Sequence, residues 1–516
     1  MKMVRSLVLG SAAALVSMSA AQAADLPLKA KAVEYVRVCS LYGAGFYYIP
    51  GTDTCIKLGG FVRADLSLNA SGGFDRPSWD GNAGQGNRLK NDFVFRSRQD
   101  LTLDTRTATE YGVVRTYFEA VFNWTTGTGQ VAGADPTGGL GVYYAFVQFA
   151  GFTFGKAVSQ FDAPWSGYPG NNTSYLLGGY DDVTGINQIS YTAQFGNGVS
   201  AAISLEDPYA YLQSAIYNTT GATAGTSATG TGFAGGTFGA ATLYGTNSYA
   251  GTQIPDIVGQ LRVDQAWGLF QLSAAGHQIR ASYYNPADET SGHPADKWGY
   301  AVQAALSIKN VPTGPGDSIN LSAGYADGAS RYLIGGVSAN SYAIYGGSGI
   351  PGVFQSIAFA AASDGVFAGT NGTNGTGIQT TTGWALRGAF NHNWSPYWSS
   401  SLFGSYTAIN YNGTATALIC GAAGVGGLLN VAGYTPVAGS GYSCNPDFNI
   451  AQVGIVTRWT PVKNLTLSGE LLYVNIDQNF SGVATLPASG TKPAGQRYEF
   501  RDQDTWSGNL RVQRNF

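Results

Sequence analysis

The residues best suited to chemistry in this sequence are arginines that recur along its first quarter. Arg63, Arg96, Arg98 and Arg115 each lie in a segment that alternates apolar and polar residues, and each falls on the polar side. A guanidinium group stays ionised at any working pH and can stack on its neighbours. Such a row supplies a fixed electrostatic field rather than a nucleophile or a proton relay.

A segment without basic residues is the expected counterpart of this row. Residues 159–186 carry Asp162, Asp181 and Asp182 and contain neither lysine nor arginine. Across a water-filled space, acidic groups opposite arginines would set a transverse field that orients water, so an apolar solute would displace that water at a cost. In the alternative interpretation, the arginines only form a solvated lattice with carboxylates of their own face. Those carboxylates are Asp65, Asp100, Asp104 and Glu119.

Catalytic and metal-binding chemistry have little basis here. The histidines His277, His293 and His392 are not accompanied by a GxSxG nucleophile motif, and no CxxC pair or ligand-like spacing to cysteine occurs. We therefore predict no catalytic residue, no cofactor and no metal. A membrane-embedded protease or lipase is the enzymatic alternative.

The cysteines form two local pairs, Cys39 with Cys55 and Cys420 with Cys444. In an exported chain these predict two loop-closing disulfides. Because the pairing rests on proximity alone, four free thiols stay open as the alternative.

The first 23 residues predict an export signal. Lys2 and Arg5 precede an apolar stretch at 7–16 and a small-residue site at 21–23, the order typical of a signal cleaved before Ala24. We expect residues 24–55 to form an amino-terminal segment at the periplasmic rim or within the interior, and residues 56–516 to form the main domain.

Composition excludes several classes of protein. Charged residues make up 11% of the chain and the net charge is −3, against about 25% charged residues in soluble domains, so a nucleic-acid binder is not expected. After the signal, no apolar stretch reaches the roughly 18 residues of a transmembrane helix. If the chain spans a membrane, only a closed β-barrel satisfies its backbone.

Period-2 alternation recurs along the whole chain. In the last strand, Trp506, Leu510 and Phe516 share one face, while Asn509 and Arg511 share the other. Lipid outside and water inside explain both faces. We predict an all-β fold, a 16-stranded antiparallel transmembrane β-barrel with short periplasmic turns and long extracellular loops. The predicted strands are 56–69, 92–104, 111–124, 142–150, 152–158, 187–195, 199–207, 254–266, 269–284, 298–308, 318–327, 381–391, 398–411, 449–459, 465–476 and 504–516.

The connections carry further predictions. Strand 269–284 keeps its phase only with a bulge near Gly276. The Gly-rich stretches 208–253, 328–380 and 412–448 predict surface loops. Aromatic residues at the short turns suit a girdle at one membrane interface. They are Trp267, Trp394, Tyr397, Trp398 and Trp459.

Three stretches, residues 38–63, 104–115 and 144–156, resemble the alphaproteobacterial branch of the general porins. The resemblance spans nearly all of the mature chain and includes Phe516 as the carboxyl-terminal barrel signal. It implies a homotrimeric outer-membrane channel for small hydrophilic solutes and ions. We expect outer-membrane lipid or lipopolysaccharide as a further partner. The long loops are where the chain is least tied to that family.

The predicted barrel is too wide to sieve solutes by its wall alone. Sixteen strands about 4.8 Å apart and tilted about 40° give a diameter of about 30 Å. By its place in the hairpin count, and by what general porins do, segment 159–186 is the loop expected to fold inward. Two alternatives stay open: a surface adhesin or receptor acting through the long loops, and a substrate-selective channel. The latter should show an aromatic row, of which the sequence offers Phe61 and Tyr117.

Overall fold

A computed structural model describes residues 37–70, 76–125, 138–180, 183–209, 214–220, 247–335, 341–421, 435–486, 488 and 491–516. The chain divides into two units, residues 1–56 and 57–516. The described part of the first unit holds the 3-10 helix Ser40–Tyr42 and the strand Tyr47–Tyr48. The predicted disulfide between Cys39 and Cys55 is confirmed, with a Cα–Cα distance of 6.0 Å. The predicted signal lies outside the described residues.

Sixteen antiparallel strands in the described part of the chain form a closed sheet, as predicted. The first strand pairs with the second and with the last, which closes the barrel, and Phe516 N–H donates to Gly60 O at 3.1 Å. The barrel strands are β1 Thr54–Leu68, β2 Phe93–Thr109, β3 Gly112–Thr125, β4 Gly139–Phe149, β5 Phe152–Ala157, β6 Ile186–Gly196, β7 Val199–Glu206, β8 Asp256–Gln265, β9 Gly268–Ile279, β10 Lys297–Lys309, β11 Ser318–Asp327, β12 Gln379–Ser395, β13 Trp398–Tyr411, β14 Phe448–Val462, β15 Leu465–Gln478 and β16 Gln503–Asn515.

Alternation along the strands sets an apolar outer face against a polar inner one. In β16, Trp506 and Leu510 are 51% and 53% exposed, whereas Ser507 and Asn509 are 9% and 1% exposed. An exposed apolar surface repeated on neighbouring strands is unfavourable in water but fits lipid. No helix in the described ranges is long and apolar enough to cross a bilayer.

The short reversals lie at one end of the barrel. The aromatic residues predicted for a girdle are exposed there, and Trp398 and Trp459 stack at 5.7 Å. Between β10 and β11, burial alone would raise the pKa of Asp317. Hydrogen bonds from Thr313, from Asn393 N–H and from His392 outweigh it and hold that pKa at about 2.

Replacing Asp317 with Asn should therefore destabilise this turn in a pH-dependent manner. Because the folded-state pKa lies below the ordinary value, the carboxylate stabilises the fold above about pH 4. That contribution is lost as the pH falls through about 2. Melting curves in detergent should show a gap between wild type and D317N at neutral pH that closes toward pH 2. A gap that stayed constant down to pH 2 would contradict the assignment.

Strand β9 corrects one prediction. Its register with β10 runs without a shift from Gly268 opposite Ile308 to Ile279 opposite Lys297, so there is no bulge at Gly276. The strand ends at Ile279, whose side chain points inward and is fully buried. The apparent change of phase came from extending the strand into the following loop.

The prediction of three surface loops is also wrong for the sixth loop (residues 328–378). Its strands Ser341–Gly346 and Gln355–Ala361 are almost entirely buried. They form a five-stranded sheet, the mouth sheet, with three strands of the last two loops. Those strands are Thr435–Pro436, Val483–Thr485 and Arg497–Phe500. The mouth sheet packs on the inner faces of β14 and β15 at the long-loop end, through Phe448, Ile450, Leu472, Val474 and Ile476.

The remaining elements are short. A parallel pair joins Ala215–Asn218 to Ser363–Phe367. The helices are Gly81–Gly84, Arg331–Ile334 and Gly413–Cys420, with a 3-10 turn at Glu289–Ser291. Cys420 ends its helix and is joined to Cys444, with Cα atoms 5.8 Å apart, which confirms the second disulfide.

Candidate functional site

The third loop (residues 158–185) lies inside the barrel against the inner faces of β7 to β16. On one side, the amides of Gln260, Gln271 and Gln303 donate to the backbone carbonyls of residues 160–162 at 2.8, 2.7 and 3.1 Å. Glutamine side chains on consecutive strands thus satisfy a loop backbone that water would otherwise have to solvate. The predicted inward fold of this segment agrees with these contacts.

Arg387 of β12 holds the middle of the third loop. Its side chain is 2% exposed, and its guanidinium donates to the carbonyls of Leu176, Ser166 and Tyr180 at 3.3, 3.1 and 2.9 Å. A planar group with five donors can serve three carbonyls at once. This arginine therefore fixes the path of the loop.

The third loop is also held at its turn around Asn172 and Thr173. The carboxylate of Glu470 accepts from the backbone N–H of both residues and from the Thr173 hydroxyl. Arg458 donates to Asn172 Oδ1 at 3.0 Å, and Arg511 donates to Asn172 O at 2.8 Å. Charged side chains of β14 to β16 thus grip a single turn of the loop.

Small residues on the inner face of the barrel allow the third and sixth loops to pack closely against it. Ala275, Ala301 and Ala326 lie opposite one another on β9, β10 and β11 and are at most 4% exposed. On the loop, a Cβ added to Gly170 would lie 2.6 Å from Ala389 Cβ. Larger side chains at these positions would push the third and sixth loops away from the wall.

The inner face of β1 to β3 carries the predicted arginine row. Arg63, Arg98 and Arg115 stay partly exposed, whereas Arg96 is buried. Asp65 pairs with Arg511 at 2.6 Å and with Arg96 at 3.5 Å. Asp104 pairs with Arg115 and Arg106, each at 3.0 Å. Two carboxylates are therefore shared by four guanidinium groups.

Arg63 and Arg98 have amide partners instead. Arg63 Nε donates to Gln513 at 2.8 Å and Arg98 Nε to Asn123 at 2.5 Å. Among the described residues, no carboxylate lies within ion-pair distance of either. The lattice interpretation thus fits the other arginines of this wall and not these two.

Asp100 and Glu119 lie on the same inner face, where Asp100 is 2% exposed. Tyr117 donates its hydroxyl proton to Glu119 at 2.9 Å. The carboxylates of this wall are therefore interleaved with its arginines.

Of the three aspartates predicted for the acidic side of the site, Asp162 lies among the described residues. Asp162 is 3% exposed and lies in the contact between loop and wall, so it does not face open water as expected. The reason is that wall amides draw this part of the loop backbone, and its carboxyl with it, against the strands. Asp181 and Asp182 lie outside the described residues.

A buried cluster that the sequence did not reveal ties the fourth loop (residues 207–255) and the sixth loop to the wall. His277 Nδ1 lies 2.7 Å from Asp256, and Nε2 lies 2.9 Å from the hydroxyl of Tyr249. The Tyr249 hydroxyl also lies 2.7 Å from Asp364 Oδ2 and so bridges His277 and Asp364. Burial raises the pKa of Asp364. In the described structure no serine or cysteine is hydrogen-bonded to His277, and no described group of side chains could hold a metal ion.

The functional residues that the sequence missed are the loop anchors, Arg387, Arg458, Glu470 and Arg511. Each sits on the inner side of a late strand, where alternation alone indicates a wetted residue. A signal was present, since arginine and glutamate are rare among the mostly uncharged inner residues of β12 to β16.

Comparisons with known proteins agree with this architecture. A family model described as "Porin subfamily" matches residues 25–509. The porin Omp2b of Brucella suis biovar 1 (strain 1330) and that of Brucella abortus (strain 2308) are each 39% identical to this chain over 213 residues. The match covers 39% of this chain and 54% of each relative, so it spans about half the length of these curated relatives.

One solved structure shares the fold at low identity. The outer membrane channel DcaP of Acinetobacter baumannii superposes with a TM-score of 0.55 at 15% sequence identity. The superposition covers 91% of this chain and 99% of the other. The likeness is one of architecture.

Proposed function

This chain belongs to the porin subfamily, and from that premise we propose that it forms a water-filled channel for passive diffusion of small hydrophilic solutes and ions. The observation that carries the proposal is the division of the barrel interior. The third and sixth loops occupy the part of the interior next to β7 to β15. A charged, partly exposed wall faces them from β1 to β4.

The family and the closed barrel locate the chain in the outer membrane, which it crosses by its strands. We further propose that it assembles as a homotrimer, as the resemblance to general porins implies, and contacts outer-membrane lipid or lipopolysaccharide. Residues 1–23 as export signal, residues 24–55 as an amino-terminal segment and Phe516 as the barrel signal remain part of the proposal. Porins are channels, so the protease or lipase alternative is set aside.

The constriction is proposed to lie between the third loop and the arginine wall. Arg63, Arg96, Arg98 and Arg115 supply its basic side. Asp181 and Asp182 are proposed for the acidic side, without Asp162. A field between them orients water across the passage and favours polar solutes.

Bilayer recording tests the proposal directly. Purified protein should add discrete conductance steps in KCl, and an asymmetric salt gradient should give a reversal potential that reports the sign of the selectivity. Protein that folds by circular dichroism and enters bilayers without any conductance would overturn the channel proposal.

A further inference from the structure

Aromatic side chains form a continuous row on the inner face of β3 and β4, beside the arginine wall. Tyr117 stacks on Phe146 with ring centroids 5.4 Å apart and lies 6.2 Å from Tyr144. Tyr144 in turn contacts Tyr143 at 6.5 Å. Pairing of Tyr117 with Phe146, and of Glu119 with Tyr144, places these residues on the inner face. Four rings thus follow one another along β3 and β4, where the sequence offered only Tyr117 in addition to Phe61 on β1.

A guanidinium group ends the row on each side. Arg115 lies 5.1 Å from the ring of Tyr117 and 5.6 Å from that of Phe146. Arg98 lies 5.8 Å from the ring of Tyr143. Each arginine can therefore bind an anionic group while the neighbouring rings pack against an apolar body.

The charge at the Arg98 end is the less compensated of the two. Arg98 and Arg63 lie within Coulombic range of each other and have amides rather than carboxylates as partners. Arg63 also lies 4.4 Å above the ring of Phe61. Among the described residues neither guanidinium group is in a direct ion pair, although Asp65 and Asp100 lie within Coulombic range. Two such groups held near one another can attract an anion from solution.

Exposure separates this wall from the loop-bearing one. Arg63, Arg98, Tyr117, Tyr143 and Phe146 are all half-buried, so their faces remain open to a solute. Arg387, by contrast, is almost fully buried by the third loop.

We propose that the row from Arg98 to Arg115 is a binding track for small organic anions with an aromatic body, such as aryl carboxylates. The inference rests on the channel function proposed above and narrows it to a preferred class of solute. The carboxylate exchanges between arginines while the ring slides over Tyr143, Tyr144, Tyr117 and Phe146. Chloride and acetate use the arginines alone.

Bilayer recording with benzoate and acetate tests the track. Wild-type channels should pass benzoate in preference to acetate by about tenfold, the factor expected from one or two ring contacts. Tyr143→Leu should reduce that preference and leave the chloride-to-potassium ratio unchanged. The double variant Arg63→Gln, Arg98→Gln should lower the permeability of both carboxylates and of chloride relative to potassium.

Arg262→Gln is the matched control, because it removes one guanidinium from β8, where Arg262 pairs with Asp264 and not with a carboxylate of the arginine wall. It should leave the benzoate-to-acetate ratio at the wild-type value. Equal permeability of benzoate and acetate in wild-type channels, or an effect of R262Q on that ratio as large as that of Y143L, would overturn the track. In either case normal KCl steps would leave the channel function standing, whereas absence of KCl steps would remove the channel function itself.

Discussion

Replacing Arg387 with methionine should give a channel with larger and noisier conductance steps. The substitution removes three hydrogen bonds to the carbonyls of Leu176, Ser166 and Tyr180. Each buried carbonyl left without a donor costs about 1–3 kcal/mol. The third loop should then leave the wall, and the constriction it forms should widen. The barrel itself should persist, because its interstrand hydrogen bonds are untouched.

Single-channel recording in KCl measures this effect, and Arg262→Met supplies the control. Arg262 lies on β8 in a partly exposed pair with Asp264 and, among the described residues, forms no hydrogen bond with the third loop. R262M should match wild type in conductance and noise. Wild-type steps from R387M, with the variant folded by circular dichroism, would show that the loop does not set the bore.

Replacing Phe359 with alanine should open the mouth of the channel to bulkier solutes. Phe359 is fully buried in the mouth sheet and packs edge-on against Phe480 at 6.4 Å. Truncating a buried phenylalanine costs about 3–5 kcal/mol of folding free energy. That is a large loss for a sheet of five short strands. The mouth sheet should therefore loosen while the barrel remains closed.

Liposome swelling assays with sugars of increasing size measure this opening. F359A should admit a trisaccharide faster than wild type, while the rate for a monosaccharide changes little. Phe354→Ala is the matched control, because Phe354 is 49% exposed at the rim of the same sheet. Equal size limits for F359A and wild type would mean that the mouth sheet does not restrict entry.

The repetitive parts of this protein could be predicted from the sequence. Alternation is a property of neighbouring residues, so it fixed the strands, their number and the inward face of Arg63, Arg96, Arg98 and Arg115 before any partner strand was known. The disulfides followed from short separations. Tight turns likewise carry their own Gly, Pro and Asn signals.

The positions of the loops and of the inner side chains depended on contacts between distant parts of the chain. Whether Asp162 faces water is decided by Gln271, more than one hundred residues later, and the path of the third loop by Arg387. The sixth loop was expected on the surface because its sequence is nearly uncharged and Gly-rich. Yet Leu472, Val474 and Ile476 on the normally wetted face of β15 carried a signal that something apolar covers them.

The sequence by itself determined a closed barrel with an oily outside and a charged inner wall, because period-2 patterning acts locally along each strand. Only the tertiary structure decided which part of that wall stays open. The interior is shared by loops from across the chain, and their hydrogen-bonding groups choose partners by proximity in space rather than in sequence.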